Sequence, residues 1–256
     1  MRLRSPPRSG TFPAVKTPRA EVGPENSRAQ PSRSHQRLRR FLERLRTAWT
    51  IRYYGEYGHR QAYRRLADVR PDHRGRYTFA CNYVEPAAAV MDCAAGTGYG
   101  AFILARSTEA EQILAVERSA RAVRFGRRHY RHPRIRYLRA DIFRANLQAA
   151  GFDCIASFET LEHVDGEALL RVFHRCLKPD GILLISTPNQ ETMPFDADRF
   201  PFHRRHYSPA EFEVLLKQAG FTVTERHSQE HTGSAELHVG WDGRFLTAVA
   251  KKSVQA

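Results

Sequence analysis

The chain has 256 residues, 41% of them hydrophobic, and a net charge of +14. That length supports one full α/β domain plus extensions. No run of 18 apolar residues and no signal-type leader occurs, so neither a membrane span nor secretion is expected. Residues 1–50 hold eleven Arg and one Lys against three Glu, so +9 of the charge falls there. The four cysteines (Cys81, Cys93, Cys154, Cys176) are widely spaced and form no CxxC, which fits reduced thiols in a cytoplasmic protein.

Residues 1–35 mix six prolines with Arg, Ser and Gly, and their few apolar side chains cannot offset the entropy of ordering; a disordered basic arm is expected. It is either a solvated tail or an electrostatic tether to nucleic acid or to an anionic membrane surface, which would place the protein at the membrane periphery. Residues 36–72 read as a helical extension or lid. Within them Leu38, Phe41, Leu42, Leu45 and Trp49 fall near helical spacing, as a helix covering the core or lying on a membrane would. The remainder, 73–256, reads as the globular domain. It opens with His73, Arg76 and Tyr77 at the entry to a helix.

Ala88–Met91 ends an apolar strand at Asp92. Cys93 to Gly100 is a run of small residues with Gly96, Gly98 and Gly100, and Ala101–Ala105 begins a helix. Strand, glycine turn and helix form the first unit of a nucleotide-binding sheet, whose ligands sit at the strands' carboxyl ends. Gln112–Val116 is a second strand ending at Glu117, 19 residues after Gly98, where a carboxylate can accept from both hydroxyls of a ribose. The other reading of Glu117 is a surface glutamate at a strand end. Ser119 caps the next helix, Ile135–Leu138 is the third strand, and Asp141 with Ile142 follows. Phe152–Phe158 is the fourth strand, followed by Glu159, Glu162 and His163. Glu167–Cys176 is an amphipathic helix, Leu177-Lys178-Pro179-Asp180-Gly181 a turn, and Ile182–Ser186 the fifth strand, ending in Thr187-Pro188-Asn189. Residues 190–208 form an insertion rich in Phe, His and Arg, long enough to suggest a functional loop. A helix capped by Ser208 follows over Pro209–Ala219. Two final strands, Phe221–Glu225 and Phe245–Ala250, flank a polar loop over 226–244.

Asp92, Ala94, Gly96 and Gly98 resemble the first motif of the class I S-adenosylmethionine-dependent methyltransferases (of the methyltransferase-11/23 and ubiquinone O-methylase kind), with Ala94 in place of the first glycine. The LKPDG turn, apolar strand and TPN ending resemble the same family, and the likeness covers roughly Arg76 to Lys252. It implies a Rossmann-like, doubly wound, seven-stranded sheet with helices on both faces and a terminal antiparallel hairpin. It further implies an S-adenosyl-L-methionine site: Arg76 beside the cofactor, Asp92, Ala94, Gly96 and Gly98 at the methionine end, Glu117 on the ribose, Asp141 on the adenine, and Ile142, Phe158 and Glu159 lining the pocket. His163 and His203 are the candidate bases. Glu159, Glu162, His163 and His203, carboxylates with imidazoles, suit Mg²⁺, Mn²⁺ or Zn²⁺, and their arrangement resembles the metal site of small-RNA 2′-O-methyltransferases and ubiquinone-pathway O-methylases; Tyr207, Ser208 and Phe212 match the aromatic-[ST]-x-x-x-F stretch that follows the last histidine in the former. Glu162 and His163 would otherwise cap a helix or line the pocket, and His203 would be a substrate-loop residue. The expected acceptor is a small molecule, a glycan or a lipid-linked molecule, methylated on O or N. Two other readings stay open: an NAD(P)-dependent oxidoreductase, since Gly96, Gly98 and Ala101 satisfy G-x-G-x-x-A, and a basic nucleic-acid- or membrane-binding module.

Overall fold

A computed structural model of the chain describes residues 62–253. The basic arm over 1–35, the helical segment over 36–54 and most of the proposed lid lie outside the described residues. The described unit starts with a 3₁₀ turn at Leu66–Asp68 and then helix α1, Pro71–Ala80, with Pro71 in its first turn. Alternating strands and helices follow: β1 Ala89–Cys93, α2 Tyr99–Ser107, β2 Gln112–Glu117, α3 Ala120–His129, β3 Ile135–Arg139, β4 Phe152–Phe158, α4 Gly166–Cys176 and β5 Leu177–Pro188. The end of the domain is α5 Pro209–Gln218, β6 Phe221–Gln229, β7 His238–Val239 and β8 Phe245–Lys252.

The sheet order is β3-β2-β1-β4-β5-β8-β6-β7. Strands β1 to β5 pair in parallel, whereas β8 is antiparallel to both β5 and β6. The chain winds outward from β1 in one direction, then returns to place β4 on the other side. The crevice at this switch point is where ligands bind in such sheets. All five residues of β1 are buried, as parallel strands covered on both faces require. Val90 joins one apolar cluster with Tyr77, Leu104 and Val123; Met91 and Cys93 join a second with Leu169, Phe173 and Phe212. Helices α1–α3 therefore cover one face and α4 and α5 the other, each starting on a local signal where it matters. Ser119 Oγ accepts from the Ala122 amide, Asp165 Oδ1 accepts from the Ala168 amide, and Ser208 and Glu211 form a reciprocal capping box.

Three expectations need correction. The sheet has eight strands, not seven: the extra one, β7, is a two-residue strand on the outer edge of β6, inside what the sequence presents as a plain polar loop. The LKPDG turn is built into β5. Leu177 pairs with Phe152, the chain bulges at Asp180 (φ 59°), and regular pairing resumes at Ile182 opposite Cys154. Strand β6 runs on to Gln229 rather than stopping at Glu225, because its partner β8 continues alongside it. Among the described residues no helix is long and apolar enough to cross a membrane. All four cysteines are free; three are buried and Cys81 is half-buried.

Candidate active site

A cavity of about 670 Å³ opens at the carboxyl ends of the parallel strands, within the size range of small-molecule sites. Ala94, Gly96, Glu117, Asp141, Ile142, Phe158, Glu159, His163 and His203 all line it, so residues spread over more than 100 positions of sequence converge there. Arg76, Asp92, Gly98 and Glu162 do not reach its surface.

The floor is the glycine turn. Ala94 (φ 57°), Gly96 (φ 54°) and Gly98 (φ 87°) all take left-handed backbone conformations. Ala94 thus does a glycine's job at some conformational cost. Gly98 has a second constraint, since a Cβ there would come within 2.3 Å of Tyr137 Oη. Glu117, 2% exposed, ties the turn to the next strand and helix: one carboxylate oxygen accepts from the Gly96 amide at 3.0 Å and the other from the Ser119 amide at 2.7 Å. Asp141 is exposed at the cavity rim and accepts from the Phe143 amide at 3.0 Å.

Asp92 lies under the floor, fully buried, where its Oδ1 accepts from Tyr77 Oη at 2.8 Å. Burial pushes this carboxyl up to about 7, against the pull of the Tyr77 hydroxyl and with a smaller push from Glu117. Arg76 is a correction. It was expected beside the cofactor, but it is buried behind the wall, donating to Gln229 Oε1 (2.6 Å) and Asp72 Oδ2 (3.3 Å), with its guanidinium over the Phe245 ring. One helical turn brings Asp72 and Arg76 together, so they share a face, while His73 and Tyr77 share the face that meets the cavity. His73, which donates to or accepts from Tyr99 Oη at 2.8 Å, is held neutral by burial and by nearby Arg76 and Arg70.

The opposite wall is the insertion, which folds back over the end of β4. The Arg204 amide donates to the Glu162 carbonyl at 2.6 Å, and Asn189 bridges to Tyr207 at the base of the loop. Glu162, His163 and His203 each offer one ligand atom, all within 4.8 Å of one another. Glu159, also expected as a ligand, stands outside this group. Its φ is 52°, and its carboxylate accepts from Ser186 Oγ at 2.8 Å.

The hydrogen bonds fix the proton positions on the imidazoles, because a carbonyl can only accept. His163 Nδ1 donates to the Phe202 carbonyl at 2.8 Å, which leaves Nε2 as the nitrogen that can hold a lone pair. His206 Nδ1 donates to the Met193 carbonyl at 2.6 Å, so its Nε2 accepts from His203 Nδ1 at 2.7 Å. The lone pair of His203 is thereby on Nε2 as well. His206, 2% exposed, is a positioning residue that sequence reasoning missed. The available signal was its three-residue spacing from His203 inside an aromatic loop. Burial, together with His163 and His206, lowers His203 to about 3, so it is neutral at physiological pH. Burial first, and then the charge of Glu159, pushes the Glu162 carboxyl well above its ordinary value. Its Oε2 is buried with no hydrogen-bond partner.

Residues 91–185 match the family model described as a methyltransferase domain. The chain is 32% identical over 174 residues to a protein of Mycolicibacterium smegmatis named a probable S-adenosylmethionine-dependent methyltransferase, across 64% of each chain. It therefore spans less than two thirds of that relative's length. It is 29% identical over 174 residues to the ubiquinone biosynthesis O-methyltransferase of Xanthomonas axonopodis, covering 59% of this chain and 70% of that one. A solved S-adenosylmethionine-dependent methyltransferase from Methanosarcina mazei has the same fold, with a TM-score of 0.58 at 16% identity over 69% of this chain and 98% of that one.

Proposed function

We propose that the protein transfers a methyl group from S-adenosyl-L-methionine to an oxygen or nitrogen of a small-molecule, glycan or lipid-linked acceptor. The observation that carries this reading is the continuous cavity running from the glycine turn and Glu117 to the insertion with its histidines. Bound there, S-adenosylmethionine supplies an activated methyl group on a sulfonium. The chain's own work is then positioning and proton removal. Ala94 and Gly96 shape the floor for the methionine end, with Asp92 and Gly98 holding that floor from below. Glu117 accepts from the ribose diol, Asp141 takes the adenine end, and Phe158 and Ile142 supply apolar walls. The acceptor enters on the insertion side, where Nε2 of His163 or of His203 takes its proton. Calorimetry tests the reading directly: S-adenosylmethionine and S-adenosylhomocysteine are expected to bind and NAD not to. Tight NAD binding without either would overturn it in favour of an oxidoreductase.

The same wall fits a divalent cation. Glu162 Oε2 is a buried carboxylate oxygen without a hydrogen-bond partner, and His163 and His203 each offer a ring nitrogen in the same cluster, all three ligand atoms within 4.8 Å of one another. One carboxylate and two imidazoles form a mixed oxygen–nitrogen set that suits Mn²⁺ or Zn²⁺ better than Mg²⁺, which prefers oxygen ligands. A cation held by Glu162, His163 and His203 would polarise an acceptor hydroxyl and lower its pKa. Mn²⁺ added to the protein should lose its free-ion electron paramagnetic resonance signal as it binds, and Glu162→Gln should restore that signal. Undiminished free Mn²⁺ with the native chain, and full activity in chelator, would leave the histidines as proton acceptors only.

A further inference from the structure

The cavity has two ends of different chemistry. One lies over β1, β2 and β3 and holds the glycine turn, Glu117 and Asp141. The other lies over β5 and β8. Because β8 runs antiparallel to β5, its first residue, Phe245, pairs with Pro188 at the carboxyl end of β5. In the order β1-β4-β5-β8, three strand spacings separate that point from the glycine turn, about 14 Å across the sheet.

Arg244 stands at this far end and lines the cavity. Its backbone is tied on both sides: the amide donates to the Gln229 carbonyl, and the carbonyl accepts from the Asn189 amide, both at 2.9 Å. Its side chain has no comparable partners. Nε is buried with no hydrogen bond, and Nη2 reaches only the weak acceptor Met193 Sδ at 3.4 Å. A guanidinium keeps its charge at any physiological pH, so holding one partly buried beside a thioether is costly unless an anion arrives. Two arginines near this wall are matched by polar partners, Arg76 by Gln229 and Asp72 and Arg70 by Asp72, while Arg199, which also lines the cavity, lies over the Phe200 ring. Apolar rings complete the surroundings, since Phe200, Phe202 and Phe245 line the same end, and Phe202 is 53% exposed at its mouth.

We infer that Arg244 anchors an oxyanion of the acceptor, a carboxylate or a phosphate, so that the acceptor is an organic anion whose apolar body packs against these rings. The inference rests on the methyltransferase reading, which makes this end of the cavity the acceptor's. A guanidinium fork pairs with both kinds of oxyanion, so the chemistry is shared and the experiment separates the two.

The full chain is titrated, with and without saturating S-adenosylhomocysteine, with benzoate, phenyl phosphate and the neutral benzyl alcohol. At least one anion should bind ten times more tightly than the alcohol. Arg244→Gln should abolish that preference at unchanged S-adenosylhomocysteine affinity, and Arg244→Lys should keep part of it. A preference for benzoate assigns a carboxylate; one for phenyl phosphate assigns a phosphate. Equal binding of all three probes overturns the inference, as does an anion preference that survives Arg244→Gln. A tenfold loss of S-adenosylhomocysteine affinity in Arg244→Gln also overturns it, by giving Arg244 to the donor's own carboxylate. Failure of the native chain to bind S-adenosylhomocysteine at all removes the methyltransferase reading instead, and the titration without it still reports on Arg244.

Discussion

Glu117→Ala is expected to weaken S-adenosylmethionine and S-adenosylhomocysteine alike by about 1–3 kcal/mol, roughly five- to 150-fold in affinity. The size follows from what the carboxylate does. Its two oxygens accept from the Gly96 and Ser119 amides, so one buried side chain pins the glycine turn to the start of α3. The same carboxylate lines the cavity, where a ribose diol would donate to it. Alanine removes the acceptor for the ligand and strands two backbone donors at once. Glutamine is no rescue, because its amide nitrogen would face one of those N–H groups donor to donor. Calorimetry with both nucleosides, together with thermal unfolding of the empty protein, separates the two effects. Unchanged affinity alongside a lowered Tm would make Glu117 a structural tie only.

The parts of the fold legible in the sequence were those carried by local chemistry. β1, β2 and β4 are short apolar runs ended by turn residues, and α3 and α5 begin on Ser119 and Ser208, whose side chains cap them. Glu117 was placed by its spacing from Gly98, which reflects the fixed length of one helix and its return strand. What stayed hidden depends on partners distant in sequence. β7 is two residues long and exists only because β6 extends to meet it. Arg76 looks like a cavity residue until Gln229, 153 positions away, accepts its hydrogen bond. His206 matters because the loop turns the Met193 carbonyl toward it, and Arg244 because its Nε is buried without a hydrogen-bond partner among the described residues. Periodicity and motif spacing cannot register either event. Glu159 shows the same limit in reverse: its motif position suggests a ligand, but the left-handed backbone aims its carboxylate at Ser186.

Asp92→Asn should stabilise the empty protein above neutral pH while leaving it little changed near pH 4. The carboxyl is fully buried and pushed up to about 7 from an ordinary value of 3.8, with burial the main cause. Between those two values the folded chain holds a proton on Asp92 that the unfolded chain releases, so folding is favoured at the acid end and this contribution is lost as pH rises through 7. Three pH units correspond to about 4 kcal/mol at most, a large share of the stability of a domain this size. Asparagine keeps the shape and an oxygen to accept from Tyr77 Oη but carries no charge to desolvate. Glu117, whose charge pushes Asp92 up, is unaltered, so the difference between the two proteins isolates one group from every other titration. Unfolding by denaturant from pH 4 to 9 should give curves that diverge steadily between pH 4 and 7 and run parallel beyond about pH 8. Curves parallel throughout would show that Asp92 ionises at its ordinary pH and that water or a neighbouring donor reaches its second oxygen. If the divergence appears, saturating S-adenosylmethionine should narrow it, because the sulfonium's positive charge favours the ionised carboxylate beneath the floor of the site.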